Sequence, residues 1–169
     1  FVINLLNPSG GGTLTPSLTP TPAPTGTTLN YVIPYHEATL TISSTTKAAI
    51  IAKVKNSWPG SQIAENWDKV FGQAVSNGFN PAFVLALWIE ESGANGVNNA
   101  WGLGCGVSKN PPAGKDIDGQ LSCFFGLSYA NASFAEFMCK YSDGHYPCDF
   151  STNPNFPNNL KSWYDQLMQ

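Results

Sequence analysis

One stretch, residues 80–107, constrains this chain more than any other. It reads NPAFVLALWIEESGANGVNNAWGLGCGV. Asn80 and Pro81 are typical of a helix start, because Asn caps the first turn and Pro suits the first helical position. The apolar residues that follow predict a helix from Pro81 to about Glu91, ended by a Ser-Gly break. This helix would carry two adjacent carboxylates, Glu90 and Glu91, at its C-terminal end.

The two carboxylates lie on different faces of the predicted helix. Its apolar face carries Val84, Leu87, Trp88 and Glu91, at spacings i, i+3, i+4 and i+7. Glu90 projects about 100 degrees away, so it should be more solvated. Burial disfavours a carboxylate and would raise the pKa of Glu91, as proton donation to a glycosidic oxygen requires. The helix dipole disfavours acids at a C-terminus, so the pair points to function rather than to a plain surface.

The rest of the chain predicts an α+β fold that is mostly helical, with one small β-hairpin lobe. Hydrophobic periodicity and capping residues predict further helices over about 45–57, over about 61–77, from Ser133 with its Ser-x-x-Glu box, and through Leu160 to Met168. The Gly- and Asn-rich residues after Gly93 cannot form a good helix. We expect a short strand or extended loop at 101–105 and a second short strand at 121–125, which together would form the hairpin.

Residues 8–28 form a tail of a different kind. They read PSGGGTLTPSLTPTPAPTGTT and show no apolar periodicity. Proline removes backbone donors and favours extended geometry, so this segment predicts a semi-rigid spacer without a core. We therefore expect a linker over 1–28 and one domain over 29–169. Phe1 to Leu6 is too short to span a bilayer; it is either the end of an upstream membrane anchor or an unstructured terminus.

The charge pattern narrows the class of partner. Only 11% of residues are charged and the net charge is -3. A nucleic-acid partner would need a basic face, and an anionic membrane surface would need a polybasic patch. The sequence shows neither, and its polarity comes mainly from Thr, Ser, Asn and Gly. Such a composition suits an extracellular or cell-envelope protein.

Four cysteines lie in the C-terminal half of the chain. An even number predicts two disulfides in an oxidising compartment, with three connectivities open. We favour Cys105–Cys123, which would tie the hairpin, and Cys139–Cys148, which would close a short loop. Free buried thiols are less favoured. A zinc site is less favoured still, because there is no C-x-x-C pair, and we expect no metal.

The run AFVLALWIEESGANGVNNAWGLG resembles the lysozyme superfamily. It looks most like the bacterial peptidoglycan N-acetylglucosaminidases and the lytic transglycosylases. Their motif is an apolar helix that ends in Glu-Ser-Gly, followed by Asn-aromatic-Gly-hydrophobic. The matching elements are Glu91-Ser92-Gly93 and the segment from Asn99 to Leu103, in which Ala100 is an additional residue. The resemblance extends over roughly residues 62–141 and implies a lysozyme-like single domain.

The resemblance implies a role for several residues. Glu91 would be the general acid, and Ser92 would orient it or contact an N-acetyl group. Trp101 would stack on a sugar ring beside Asn99 and Gly102. Tyr129 is a candidate for the cleft tyrosine of the family, with Tyr141, Phe124 and Phe125 as competitors nearby.

The second catalytic group is open at the level of sequence. Glycosidases normally use two carboxylates. Asp116 and Asp118 lie in a loop that could fold over the cleft, although both could equally be solvated loop acids. If neither approaches Glu91, the N-acetyl group of the substrate could assist instead.

The sequence thus predicts a monomeric, cofactor-free glycosidase that acts on peptidoglycan, of the N-acetylglucosaminidase or muramidase type. Three alternatives stay open. One is a lytic transglycosylase, and another is a catalytically silent module that binds the cell wall. The third is a Cys–His peptidase that uses Cys105 and His145; the even cysteine count disfavours it.

Overall fold

The computed structural model describes residues 29–37, 41–94, 103 and 117–169. Within these ranges the chain forms six α-helices and no strand. Their bounds are α1 Ser44–Ser57, α2 Ile63–Ser76, α3 Pro81–Ser92, α4 Ile117–Phe125, α5 Phe134–Asp143 and α6 Phe156–Leu167. The predicted linker over 1–28 and the predicted strand over 101–105, except Leu103, lie outside the described residues.

The prediction of an α+β fold with a β-hairpin lobe is wrong for the part of the chain that the structure describes. Residues 121–125, predicted as the second strand, belong to helix α4. The buried side chains of α4 are Ile117, Gln120, Leu121 and Phe124. They follow the spacing i, i+3, i+4, i+7, which is the period of a helix. A window of five residues was too short to show that period, whereas the window from Ile117 shows it.

Helix α3 is the centre of the fold. Every residue from Pro81 to Ile89 is buried, and α3 packs against both α2 and α6. Helix α1 contacts α2 and α6 in turn. A helix that is apolar all round can be stable only when neighbours cover every side of it. The first nine positions of α3 therefore fix its place, and only its C-terminal turn, from Glu90 onward, reaches the surface.

The start of α3 is held as its sequence predicts. The Asn80 side chain accepts hydrogen bonds from the backbone N–H groups of Ala82, at 2.9 Å, and Phe83, at 3.4 Å. Its amide nitrogen donates to the carbonyl of Pro34 at 3.2 Å. Asn80 thus caps α3 and attaches the extended N-terminal segment, whose Tyr35 is buried against the helices. Ser43 caps α1 in the same way, because its side chain accepts a hydrogen bond from the N–H of Thr46 at 3.0 Å.

The predicted disulfide Cys139–Cys148 is confirmed, and it attaches the segment after α5 to that helix. Cys123 is also disulfide-bonded, while Cys105 lies outside the described residues. No helix in the described ranges is long and apolar enough to cross a membrane.

Replacing Cys139 and Cys148 together by Ser should lower the free energy of unfolding. The two residues are 9 positions apart. Closing a loop of this length restricts the unfolded chain by roughly 2–3 kcal/mol on the chain-entropy model. Urea unfolding of the double variant and the wild type would measure the difference, with a single Tyr146→Ala variant in the same loop as the control. A loss below about 0.5 kcal/mol would show that the unfolded chain gains little freedom without this bond.

Candidate functional site

Glu91 occupies the last turn of α3, where the buried helix reaches the surface. Burial raises the pKa of its carboxyl to about 7, and the negative charge of Glu90 contributes in the same direction. No basic residue lies in this last turn to oppose the shift. A carboxyl with a pKa near 7 is protonated in about half of the molecules at neutral pH, and it can therefore donate a proton there.

Glu90 has a different environment, although it is the next residue in the chain. Its Oε1 accepts a hydrogen bond of 3.0 Å from the side-chain amide of Asn159 on α6. Burial raises the pKa of Glu90, and the bond from Asn159 acts against that rise. The surroundings of the two neighbouring carboxyls thus set their pKa values apart. Burial acts on both, and at Glu90 the hydrogen bond from α6 opposes it. Separation of this kind is typical of sites in which one acid carries the proton.

Tyr141, on α5, is a described aromatic residue whose pKa is affected by the charge of Glu91. Burial raises the pKa of its hydroxyl well above the usual value, and the charges of Glu91 and Tyr129 add to the rise. The hydroxyl donates a hydrogen bond of 2.6 Å to the carbonyl of Leu103. The same tyrosine thus holds the backbone of Leu103 and feels the charge of Glu91.

Tyr129, the residue first assigned to the cleft, lies in the same neighbourhood. Its ring contacts Phe137 edge-on with centroids 5.8 Å apart, and Phe137 stacks on Tyr141 at 5.6 Å. Burial also raises the pKa of the Tyr129 hydroxyl. The two tyrosines therefore occupy one cluster with Glu91. From the sequence we named Tyr141 only as a competitor of Tyr129 for the cleft tyrosine. Its position on the inward-facing stripe of α5 could have indicated that it packs against the core.

The end of α3 is fixed by a left-handed turn. Gly93 has φ 64° and Ala94 has φ 53°. Their N–H groups donate to the carbonyls of Ile89, at 2.8 Å, and Trp88, at 3.1 Å. The carbonyl of Ala94 then accepts from the N–H of Gln62 at 2.9 Å. The residue before α2 therefore holds the turn that follows Glu91, and this restrains the backbone at the end of α3.

The ring of Trp58 leaves no space for a side chain at Gly93. A Cβ added to Gly93 would lie 2.6 Å from the ring of Trp58, whereas one added to Gly78, at φ 74°, would meet no atom within 4 Å. Both substitutions to Ala incur the strain of a positive φ, of about 1–2 kcal/mol. Gly93→Ala should destabilise the protein by a further 1–3 kcal/mol, roughly, because it overpacks the contact.

Thermal unfolding of Gly93→Ala beside Gly78→Ala would isolate the contact with Trp58, since the backbone strain is similar in both. Equal midpoints for the two variants would contradict the close packing of Trp58 on the end of α3.

Two other predicted site residues have structural partners. The hydroxyl of Ser92 donates to the carbonyl of Trp88 at 3.1 Å, within α3. Asp118 lies in the first turn of α4 and pairs with Lys69 of α2 at 2.8 Å. In the described part of the chain no hydrogen bond or ion pair joins Asp118 to Glu91. Asp118 thus connects α4 to α2, and its assignment as a second catalytic carboxylate stays a prediction.

Four predicted site residues lie outside the described residues: Asn99, Trp101, Gly102 and Asp116. Within the described ranges no three His, Cys, Asp or Glu side chains are grouped so that they could hold a metal ion. His145 is exposed, with its Nδ1 3.0 Å from the carbonyl of Asp143.

No protein-family model, no curated protein and no solved structure matches this chain. A functional assignment therefore depends on the sequence motif around Glu91 and on the residues of the site itself. Those residues are a desolvated Glu91, a hydrogen-bonded Glu90 and the tyrosine cluster on their border.

Proposed function

We propose that this protein is a glycosidase that cleaves the glycan of peptidoglycan, with Glu91 as its general acid. The observation that carries the proposal is the pKa of Glu91, which burial raises to about 7 at the exposed end of a buried helix. Cleavage of a glycosidic bond requires a protonated acid beside the leaving oxygen, and a desolvated glutamic acid can supply it at neutral pH.

The chemistry proceeds by proton transfer at one oxygen. The proton of Glu91 passes to the bridging oxygen as the bond between the anomeric carbon and that oxygen breaks, and the bonding electrons leave with the oxygen. Water then adds to the anomeric carbon, its surplus proton passes to the Glu91 carboxylate or to solvent, and a reducing end is formed. Tyr141 lies close enough for the charge of Glu91 to raise the pKa of the tyrosine hydroxyl, so this hydroxyl stays neutral beside the acid.

One observation favours a lytic transglycosylase as a second candidate. Asp118, the described candidate for a second carboxylate, pairs with Lys69. A hydrolase normally uses two carboxylates, whereas intramolecular attack by a hydroxyl of the substrate requires no water-activating group of the protein. The new end would then be an anhydro sugar. Both candidates use Glu91 in the same role.

The proposed setting is the cell envelope or the extracellular space. The Cys139–Cys148 bond supports an oxidising compartment. The resemblance of residues 62–141 to the lysozyme superfamily supports a peptidoglycan substrate, and the chemistry requires only protein side chains. We propose that the protein acts as a monomer, with the Pro/Thr-rich linker extending from the catalytic domain.

Zymography on gels that contain peptidoglycan tests the proposal against a silent wall-binding module. An active glycosidase should clear the gel at the position of the wild-type protein. A protein that sediments with peptidoglycan but produces no clearing would instead be a binding module. Activity that depends on a free thiol would favour the Cys–His peptidase.

A further inference from the structure

Two tryptophan side chains meet on the outer surface beside the end of α3. The rings of Trp58, just after α1, and Trp163, on α6, have centroids 6.2 Å apart and are tilted by 50°. Trp58 is 41% exposed. Its inner side covers Gly93, which explains its attachment to the fold but not its large exposed fraction. Exposed aromatic surface of this kind is often part of a binding site.

Polar groups border the two rings. Asn159 lies one helical turn before Trp163 on α6, so both side chains share a face of that helix. Its amide donates to Glu90 in the bond of 3.0 Å, which is solvent-facing. On the other border the ammonium group of Lys53 lies 5.1 Å from the centre of the Trp163 ring. An aromatic surface with a paired amide and carboxylate at its edge is therefore present.

This composition fits a pyranose ring. One face of a pyranose carries C–H groups, which can pack on an indole, while its edge carries hydroxyl groups that both donate and accept. Glu90 and Asn159 offer both kinds of partner, because a carboxylate accepts and an amide does both. Within the described residues, Oε2 of Glu90 and Oδ1 of Asn159 have no hydrogen bond. Small-molecule sites commonly combine apolar aromatic contact with a few oriented polar groups.

We propose that Trp58, Trp163, Asn159 and Glu90 form a secondary subsite that binds a sugar ring of the glycan strand next to the reaction site. Glu90 precedes Glu91 directly, and Trp58 covers Gly93, two residues after it. A glycan strand bound at Glu91 would thus lie next to the surface formed by these four side chains. The identity of the ligand as a glycan rests on the proposed function, whereas the position of the subsite rests on these four side chains.

Binding should be measured in the Glu91→Gln background, so that the ligand is not consumed. The probe is a soluble N-acetylglucosamine hexamer, titrated by calorimetry. Adding Trp163→Ala should weaken binding by about tenfold, because one stacking surface is lost. Trp163→Phe should recover most of the affinity. Tyr146→Ala removes an aromatic that is 52% exposed elsewhere, and it should leave the affinity unchanged.

Unchanged affinity in a folded Trp163→Ala variant would overturn the subsite, as would the absence of any binding in the Glu91→Gln background. Circular dichroism would verify the fold. If Trp163→Ala does not fold, the indole N–H signals of the Glu91→Gln protein give the same test by nuclear magnetic resonance. The hexamer should shift the signals of Trp58 and Trp163 but not that of Trp67, which is 2% exposed. Unshifted signals at both tryptophans would overturn the proposal.

Failure of the subsite and failure of the proposed function are distinguishable. Binding in the Glu91→Gln background does not require cleavage, so a protein that binds the hexamer through Trp163 but leaves peptidoglycan intact would retain the subsite and lose the glycosidase assignment. Cleavage by the wild type together with unaltered binding in Trp163→Ala would give the opposite result.

Discussion

Glu91→Gln should abolish cleavage of peptidoglycan while leaving the helical fold intact. The amide keeps the shape of the carboxyl but has no acidic proton to donate. General acid catalysis contributes typically about 10²–10⁴-fold to a rate, so the loss should be at least of that order. The release of soluble glycan fragments from purified peptidoglycan measures the rate, and circular dichroism verifies that the variant is folded.

Glu90→Gln is the matched control for this substitution. It changes the adjacent carboxyl by the same chemistry, and at Glu90 the hydrogen bond from Asn159 opposes the rise in pKa that burial causes. We expect a milder loss of activity. A loss beyond about 100-fold in Glu90→Gln, with near-normal rates in Glu91→Gln, would transfer the acid role to Glu90.

Glu91→Gln should also make the protein more stable at alkaline pH. Burial raises the pKa of Glu91 in the folded state from 4.5 to about 7. Between these values the folded state keeps a proton that the unfolded state has lost, so the stability of the wild type falls as pH rises. The contribution is fully present below about pH 4.5 and is lost as pH passes 7.

The size of this effect follows from the shift. A difference of about 2.5 pKa units corresponds to roughly 3 kcal/mol between the two ends of the pH range. Urea unfolding at several pH values between 4 and 8.5 should show the wild type losing this much relative to Glu91→Gln. Parallel stability curves for the two proteins would contradict the desolvation of Glu91. Glu90 is present in both, so its own titration largely cancels.

The local signals in the sequence were sufficient for most of the helices. Asn80 and Pro81 predicted the start of α3, and the chain ends that helix at the Ser-Gly break as expected. These features depend on neighbours in the chain, where capping and propensity act directly. The prediction of a strand at 121–125 was wrong because these residues carry no such local signal. Large apolar residues in a short window fit a strand and a helix equally well.

The site was predictable only in part. The position of Glu91 on an apolar helical face was visible, and burial does raise its pKa. The bond between Asn159 and Glu90 joins residues 69 positions apart, and the contact of Trp58 with Gly93 joins different elements. No local pattern encodes such pairs, because they depend on how α1, α3 and α6 pack. The position of Tyr141 near Glu91 was not predictable for the same reason, because it depends on how α5 packs.

The environment of Glu91 also explains why the fold tolerates it. A carboxyl at a helix C-terminus meets an unfavourable dipole and, here, an acidic neighbour. Both effects favour the neutral acid. Above neutral pH Glu91 is ionised, which lowers the stability of the fold and also removes the proton that an acid catalyst would donate. Activity and stability are therefore expected to change in the same pH range.

Mass spectrometry of digested peptidoglycan is the most direct test of the central claim that Glu91 protonates a glycosidic oxygen. Wild-type protein should release glycan fragments with new reducing or anhydro ends, which also separates hydrolysis from transglycosylation. Glu91→Gln should release neither. Intact glycan after wild-type digestion, cleavage of peptide bonds alone, or the same new ends from Glu91→Gln would contradict the claim.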